Sequence, residues 1–133
     1  MAYPKFETIL MEKDKEEPKV TYITLNRPDK NNAISIGEEY MTGEIKRAMW
    51  EVNHDDDCNV VVFRGAGKNF CAGFDLSMVY RVYGGAKGVK PNQRVRLQTD
   101  QDQLYGFPQA ILDCNKVVIV QLHGWCIEAG LYI

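Results

Sequence analysis

With 133 residues the chain has room for one modest hydrophobic core and little room for two independent domains. Its 45% hydrophobic and 26% charged content is that of an ordinary globular protein, and 16 basic residues against 18 acidic ones, with no basic block, leave no footprint for nucleic acid. No apolar run nears the roughly 20 residues of a membrane helix, and Met1–Phe6 lacks a secretory pattern, so the default compartment is the cytoplasm.

In chain order, residues 6–12 read as a strand, 13–18 as a charged turn, and 19–25, where apolar and polar residues alternate, as a second strand. The two are expected to pair as an antiparallel hairpin. Residues 26–32 form a loop in which Pro28 excludes regular helix. Ser35 with Glu38 three residues on has the form of a capping box. The helix it opens would bury Met41, Ile45, Ala48, Met49 and Val52 along one face. His54–Asp57 then ends the helix as a solvated acidic turn, a solubility feature rather than a metal site.

Cys58–Phe63 is a β-branched run expected to be buried on both faces, and Val117–Leu122 is a second one. Helix followed by buried strand, twice over, predicts a parallel sheet of right-handed crossovers. Between them, Tyr83–Pro91 reads as a mobile link and residues 92–113 as helix, with Leu97, Leu104, Phe107 and Ile111 inward. Pro108 should interrupt that helix near its end. The four cysteines, Cys58, Cys71, Cys114 and Cys126, form no CxxC pair and no ligand spacing with His54 or His123. They read as small apolar side chains, with no metal expected.

Each buried strand ends in a glycine-containing loop that opens a helix, and ligands of open α/β sheets bind outside the carboxyl ends of strands. In Phe70-Cys71-Ala72-Gly73-Phe74-Asp75, Gly73 lets the backbone approach a ligand, and Asp75 stands where it can cap the next helix. Alone, the loop reads equally well as a tight strand-to-helix turn.

Three segments together are more specific: Leu25–Ile34, Lys68–Leu76 and Lys116–Gly124, in that order and spacing. In these the chain resembles the crotonase (enoyl-CoA hydratase/isomerase) superfamily over nearly its whole length, apart from an insert near residues 80–92. The resemblance implies an α/β fold of the ClpP/crotonase type, a spiral of ββα repeats, with residues 1–133 as the N-terminal part of a single, truncated domain. It implies an acyl-CoA substrate whose carbonyl oxygen is bound by two backbone N–H groups, those of Phe74 and Ala129. Lys30, Asn32 and Ala33 would lie along the adenine and phosphates of coenzyme A, with Ala72, Gly73 and Asp75 on the same path. No covalently bound cofactor is implied, and the full-length relatives lead one to expect a homo-oligomer, trimer or hexamer.

Departures from the family pattern bear on the reaction. Tyr132 stands where hydratases carry a glutamate, Glu128 replaces a glycine at the helix mouth, and the second glutamate would lie beyond Ile133. Glu128 reads either as an acid–base group or as a carboxylate favoured by the helix N-terminus. Tyr132, with an ordinary pKa of about 10, is a poor base that could donate a proton or orient a substrate. Hydration, isomerisation and C–C hydrolysis all stay open. The other reading is a catalytically silent or incomplete module that binds CoA esters or a protein partner. The end at Gly130–Ile133, inside a helical turn without a cap, is expected to mark a truncated product or fragment that is inactive alone.

Overall fold

A computed structural model describes residues 2–84 and 90–133. β1 (Ile9–Lys13) and β2 (Val20–Leu25) form the expected antiparallel hairpin, with Ile9 opposite Leu25 and Lys13 opposite Thr21. β3 (Val60–Gly65) lies parallel to β2, and β4 (Val117–Val120) parallel to β3, in a sheet of order β1-β2-β3-β4.

The register puts Ile9, Ile23, Leu25, Val61 and Phe63 on one face, and all five are fully buried. α1 (Met41–Asn53) covers that face with Met41, Ile45, Ala48, Met49 and Val52, the five residues of the predicted stripe. Each such buried side chain contributes roughly 1.5–3 kcal/mol relative to exposure. The opposite face is different. Arg64 lies 4.1 Å over the Tyr22 ring and reaches Thr24 and Glu12, a polar cluster that needs no covering layer.

Two strand expectations are therefore corrected. β3 is buried on one face only, because Val60 and Val62 point to the side that no helix of the described residues covers. β4 is half open as well: Val117 and Ile119, beside Val60 and Val62, are 60% and 49% exposed. A continuous apolar run fixes strand structure without saying how many layers the chain supplies.

The capping box also gives way. α1 starts at Met41, six residues after Ser35, whose Oγ accepts the Met41 amide across the turn at 3.0 Å. Glu38 does not return to the Ser35 amide; it binds Lys46 at 2.6 Å and the Gln103 side chain. Nor is the acidic turn after α1 simply solvated. Asp55 is 4% exposed, accepts a hydrogen bond from Tyr3 and pairs with Lys13 at 2.9 Å.

The region after β3 is helical in pieces. α2 (Leu76–Tyr83) leads to α3 (Gln93–Thr99), a widened turn at Asp100–Leu104, and α4 (Gly106–Leu112). The widened turn is closed by the Tyr105 amide on the Asp100 carbonyl, five residues back. Its place follows from Pro108, whose ring excludes the carbonyl four residues earlier, at Leu104, from an ordinary helical bond. Phe107 and Ile111 are buried as expected, while Leu97 is 58% exposed and Gln103 takes a buried position instead. Gln103 binds Thr42 of α1 at 2.8 Å, so a polar contact holds this stretch where a leucine was expected. The expected mobile link at 83–91 falls for the most part outside the described residues.

Candidate functional site

The loop at Phe70–Asp75 runs between two others and is bonded to both. On one side the Phe70 and Cys71 amides donate to His123 and Trp125, and Ile127 donates to Cys71 at 3.0 Å. On the other, Ala72 donates to Asn31, Ile34 to Gly73 and Asp75 to Ile34, at 2.8–3.0 Å. The three segments singled out in the sequence thus become one short layer at the carboxyl ends of β2, β3 and β4. Gly124, at φ +56°, makes this approach possible, since a Cβ there would lie 2.3 Å from the Lys68 carbonyl.

The pairing leaves two loop amides without a backbone acceptor: Gly73, which donates to Cys71 Sγ at 3.4 Å, and Phe74. Phe74 pairs with Ile34 as a parallel bridge, which turns its own N–H away from the Ile34 side. That N–H donates to Oε2 of Glu128 at 2.8 Å. Gly73 gives the carboxylate its room: its φ is +92°, and a Cβ there would stand 2.8 Å from the same Oε2. Asp75 caps α2, accepting the Ser77 amide at 3.1 Å, as expected of it. Burial pushes its carboxyl up, but Ser77 and the Arg27 guanidinium, 3.0 Å away, outweigh that and hold it below the usual carboxylate range.

Glu128 opens a turn of 3₁₀ helix, Glu128–Tyr132, with its own φ at +48°. Ala129 follows, fully buried, in the first turn. Amides at that position have no intrahelical acceptor, and among the described residues none takes up the Ala129 N–H. Tyr132 lies edge-on to Phe74 at 6.4 Å between ring centroids, and Phe107 meets the same ring at 6.0 Å.

Ala72, Phe74, Glu128 and Tyr132 open together on a cleft of about 730 Å³. The rest of its wall is apolar or aromatic: Leu76, Val79 and Tyr83 of α2, and Leu104, Tyr105, Pro108 and Leu112 near α4. Sequence reading missed these wall residues. The signal was present in Leu76, Val79 and Tyr83, spaced three and four apart, but such a stripe reads first as a core face. Cys71 is no nucleophile here. Burial pushes its thiol up to about 11, against a smaller opposing effect of the Gly73 amide.

The remaining site candidates lie outside the cleft lining. Asn32 is fully buried; its Oδ1 accepts the Arg27 amide at 2.8 Å, and its Nδ2 donates to the Ala66 and Asn69 carbonyls, both at 2.8 Å. Its side chain is thus spent on holding the loop in place. The Arg27 guanidinium also fixes Ala33 through its carbonyl, at 2.6 Å. Lys30 is exposed at the end of a short 3₁₀ turn, Pro28–Lys30. Among the described residues no group of three or more potential metal ligands is gathered, and no helix is long and apolar enough to cross a membrane.

The profile of the enoyl-CoA hydratase/isomerase family matches residues 15–133. The chain is 35% identical over 127 residues to a probable enoyl-CoA hydratase, EchA14, of Mycobacterium tuberculosis, covering 96% of this chain and 43% of that protein. It is 28% identical to the peroxisomal Delta(3,5)-Delta(2,4)-dienoyl-CoA isomerase of Arabidopsis thaliana, over 98% of this chain and 47% of that one. Among solved structures, an enoyl-CoA hydratase/isomerase from Marinobacter aquaeolei superimposes with a TM-score of 0.75 at 27% identity, over 94% of this chain and 44% of that one. A probable enoyl-CoA hydratase from Mycobacterium thermoresistibile gives 0.77 at 26%, over 94% and 45%. The chain therefore spans less than half the length of the relatives it matches. Within that span it has the crotonase-type α/β fold, and it belongs to the enoyl-CoA hydratase/isomerase family.

Proposed function

We propose that this chain carries the thioester-binding half of an acyl-CoA site, in which the amides of Phe74 and Ala129 hold the acyl carbonyl oxygen. The observation that carries the reading is the Phe74 N–H. No backbone carbonyl among the described residues takes it up, its residue lines an apolar cleft, and it already holds an anionic oxygen at 2.8 Å. The Glu128 carboxylate oxygen stands in for the oxygen of a thioester enolate, the charge that develops when a proton leaves the carbon next to the carbonyl. A fixed donor aimed at that oxygen is worth about 3–4 kcal/mol of barrier. The cleft wall from Leu76 to Leu112 takes the acyl group, and Lys30, exposed beside the Asn31–Ile34 loop, offers its ammonium to a coenzyme A phosphate.

Within the family, the reaction on offer is hydratase- or isomerase-like, and the relatives named as hydratases and as a dienoyl-CoA isomerase support both. No further cofactor is required for proton transfer. In a full-length protein the site belongs to a cytoplasmic homo-oligomer. Tyr132 and Glu128 favour a second reading, a fold that binds CoA esters without turnover, because neither supplies the hydratase glutamate at its usual place. Calorimetry with a short enoyl-CoA tests the first claim: heat on binding, diminished by free CoA as competitor, is the expected result. No heat and no competition would sink it. Binding without loss of the conjugated double bond, followed by absorbance, would select the silent module.

A further inference from the structure

We infer that Glu128 is a built-in occupant of the Phe74 amide, a carboxylate that closes the oxyanion position in the ligand-free chain and that an acyl oxygen must displace. This rests on the acyl-CoA reading for the identity of the displacing ligand, but not for the contact itself.

Three observations converge on it. The Phe74 N–H and Glu128 Oε2 are 2.8 Å apart, so the donor is already engaged. The contact exists because residue 73 is glycine, whose missing Cβ leaves the space that Oε2 and the Glu128 Cβ occupy. Glu128 is also held at φ +48°, a left-handed backbone that glycine adopts freely and side-chain-bearing residues rarely do. A residue with a long anionic side chain thus stands where the backbone prefers none, and its carboxylate ends on a loop amide that no backbone carbonyl of the described residues takes up. Glu128 is exposed, so its carboxylate can swing into water when a ligand arrives.

The consequence is a cost on binding. The carboxylate must leave before any acyl oxygen reaches the amide, so Glu128 lowers the affinity of the neutral thioester and of its enolate by the same factor. The enolate, the stronger acceptor, then gains more from the freed N–H than the neutral carbonyl does.

The test uses the chain itself in three versions: unchanged, Glu128→Gly and Glu128→Gln. Glu128→Gly empties the position and relieves the backbone; Glu128→Gln keeps the size and removes the charge. Without ligand, the Phe74 amide proton in an NMR spectrum should move upfield in both variants, further in Glu128→Gly. An unchanged Phe74 resonance in both overturns the inference. Butyryl-CoA should then bind Glu128→Gly about tenfold more tightly, the worth of one charge-assisted hydrogen bond. Equal affinity in all three proteins also overturns it. A Phe74 shift with no butyryl-CoA binding in any version upholds the occupant and rejects the acyl-CoA reading. If Glu128→Gly fails to fold, Glu128→Gln carries both measurements.

Discussion

On the proposed reading, the site at Phe74 resides in main chain rather than in side chains. The useful group is an N–H, so the sequence has only to keep the turn that aims it, and the side chains that matter most are those that keep the turn. Asn32 does so with three hydrogen bonds to backbone, and Arg27 does so from outside, through Ala33 and Asp75. Gly73 does so by absence. Gly73→Ala would bring a Cβ against the Ile127 carbonyl and the Glu128 side chain at φ +92°. We expect it to lower stability by roughly 1–3 kcal/mol and to abolish binding at the Phe74 amide; thermal denaturation and thioester titration check the two effects separately. A Gly73→Ala protein that melts and binds as the unchanged chain does would refute this assignment.

Elements were legible in the sequence to different degrees, for identifiable physical reasons. The hairpin and the buried face of α1 were readable because alternation and the 3.6-residue period report directly which side chains face the core. The start of α1 was not. Ser35 and Glu38 have the right spacing for a capping box, but the chain makes a further turn first, and Ser35 caps from a distance. Pro108 signalled an interruption near the helix end; the break lies further back, as a widened turn at Asp100–Leu104, and α4 runs on through Pro108. Of the site, the loop around Gly73 and the cap at Asp75 were legible; the Phe74–Glu128 contact was not, since residues 54 positions apart share no local pattern. The open face of β3 and β4 was hidden for the same reason: it depends on what else is packed there. That face yields a prediction at this scale. Val117 and Ile119 are exposed on a strand that is paired on one side only within the described residues, and such edges associate. The chain should self-associate in sedimentation velocity, and Ile119→Lys should shift it towards monomer. An unchanged distribution would count against β4 as the contact.

Across the whole molecule, the N-terminal segment is tied to the far end of α1 through Asp55. Burial pushes this carboxyl up, yet the hydrogen bond from Tyr3, the Lys13 ammonium and the Asp57 amide hold it at about 2. A depressed carboxyl contributes stability that is complete above its unfolded pKa of about 3.9 and is lost as pH falls through the folded value. The shift from 3.8 to about 2 corresponds to about 2 kcal/mol. Denaturant unfolding should therefore show the chain losing stability between about pH 4 and pH 2. Asp55→Asn should be less stable at neutral pH and flatter through that window; an equal slope in both proteins would place the acid sensitivity elsewhere. The same tie holds the hairpin against α1, and thus the sheet ends that carry the loops of the site.

On the proposed reading those loops polarise one carbonyl, and the most direct test looks at that bond. An acyl-CoA labelled with ¹³C at the thioester carbonyl can be followed by infrared difference spectroscopy as it binds. The account predicts a bound C=O band at lower wavenumber than in free ligand, because the Phe74 and Ala129 amides draw charge onto the oxygen, with a larger shift in Glu128→Gly. A ligand that binds with its carbonyl band unmoved would contradict it.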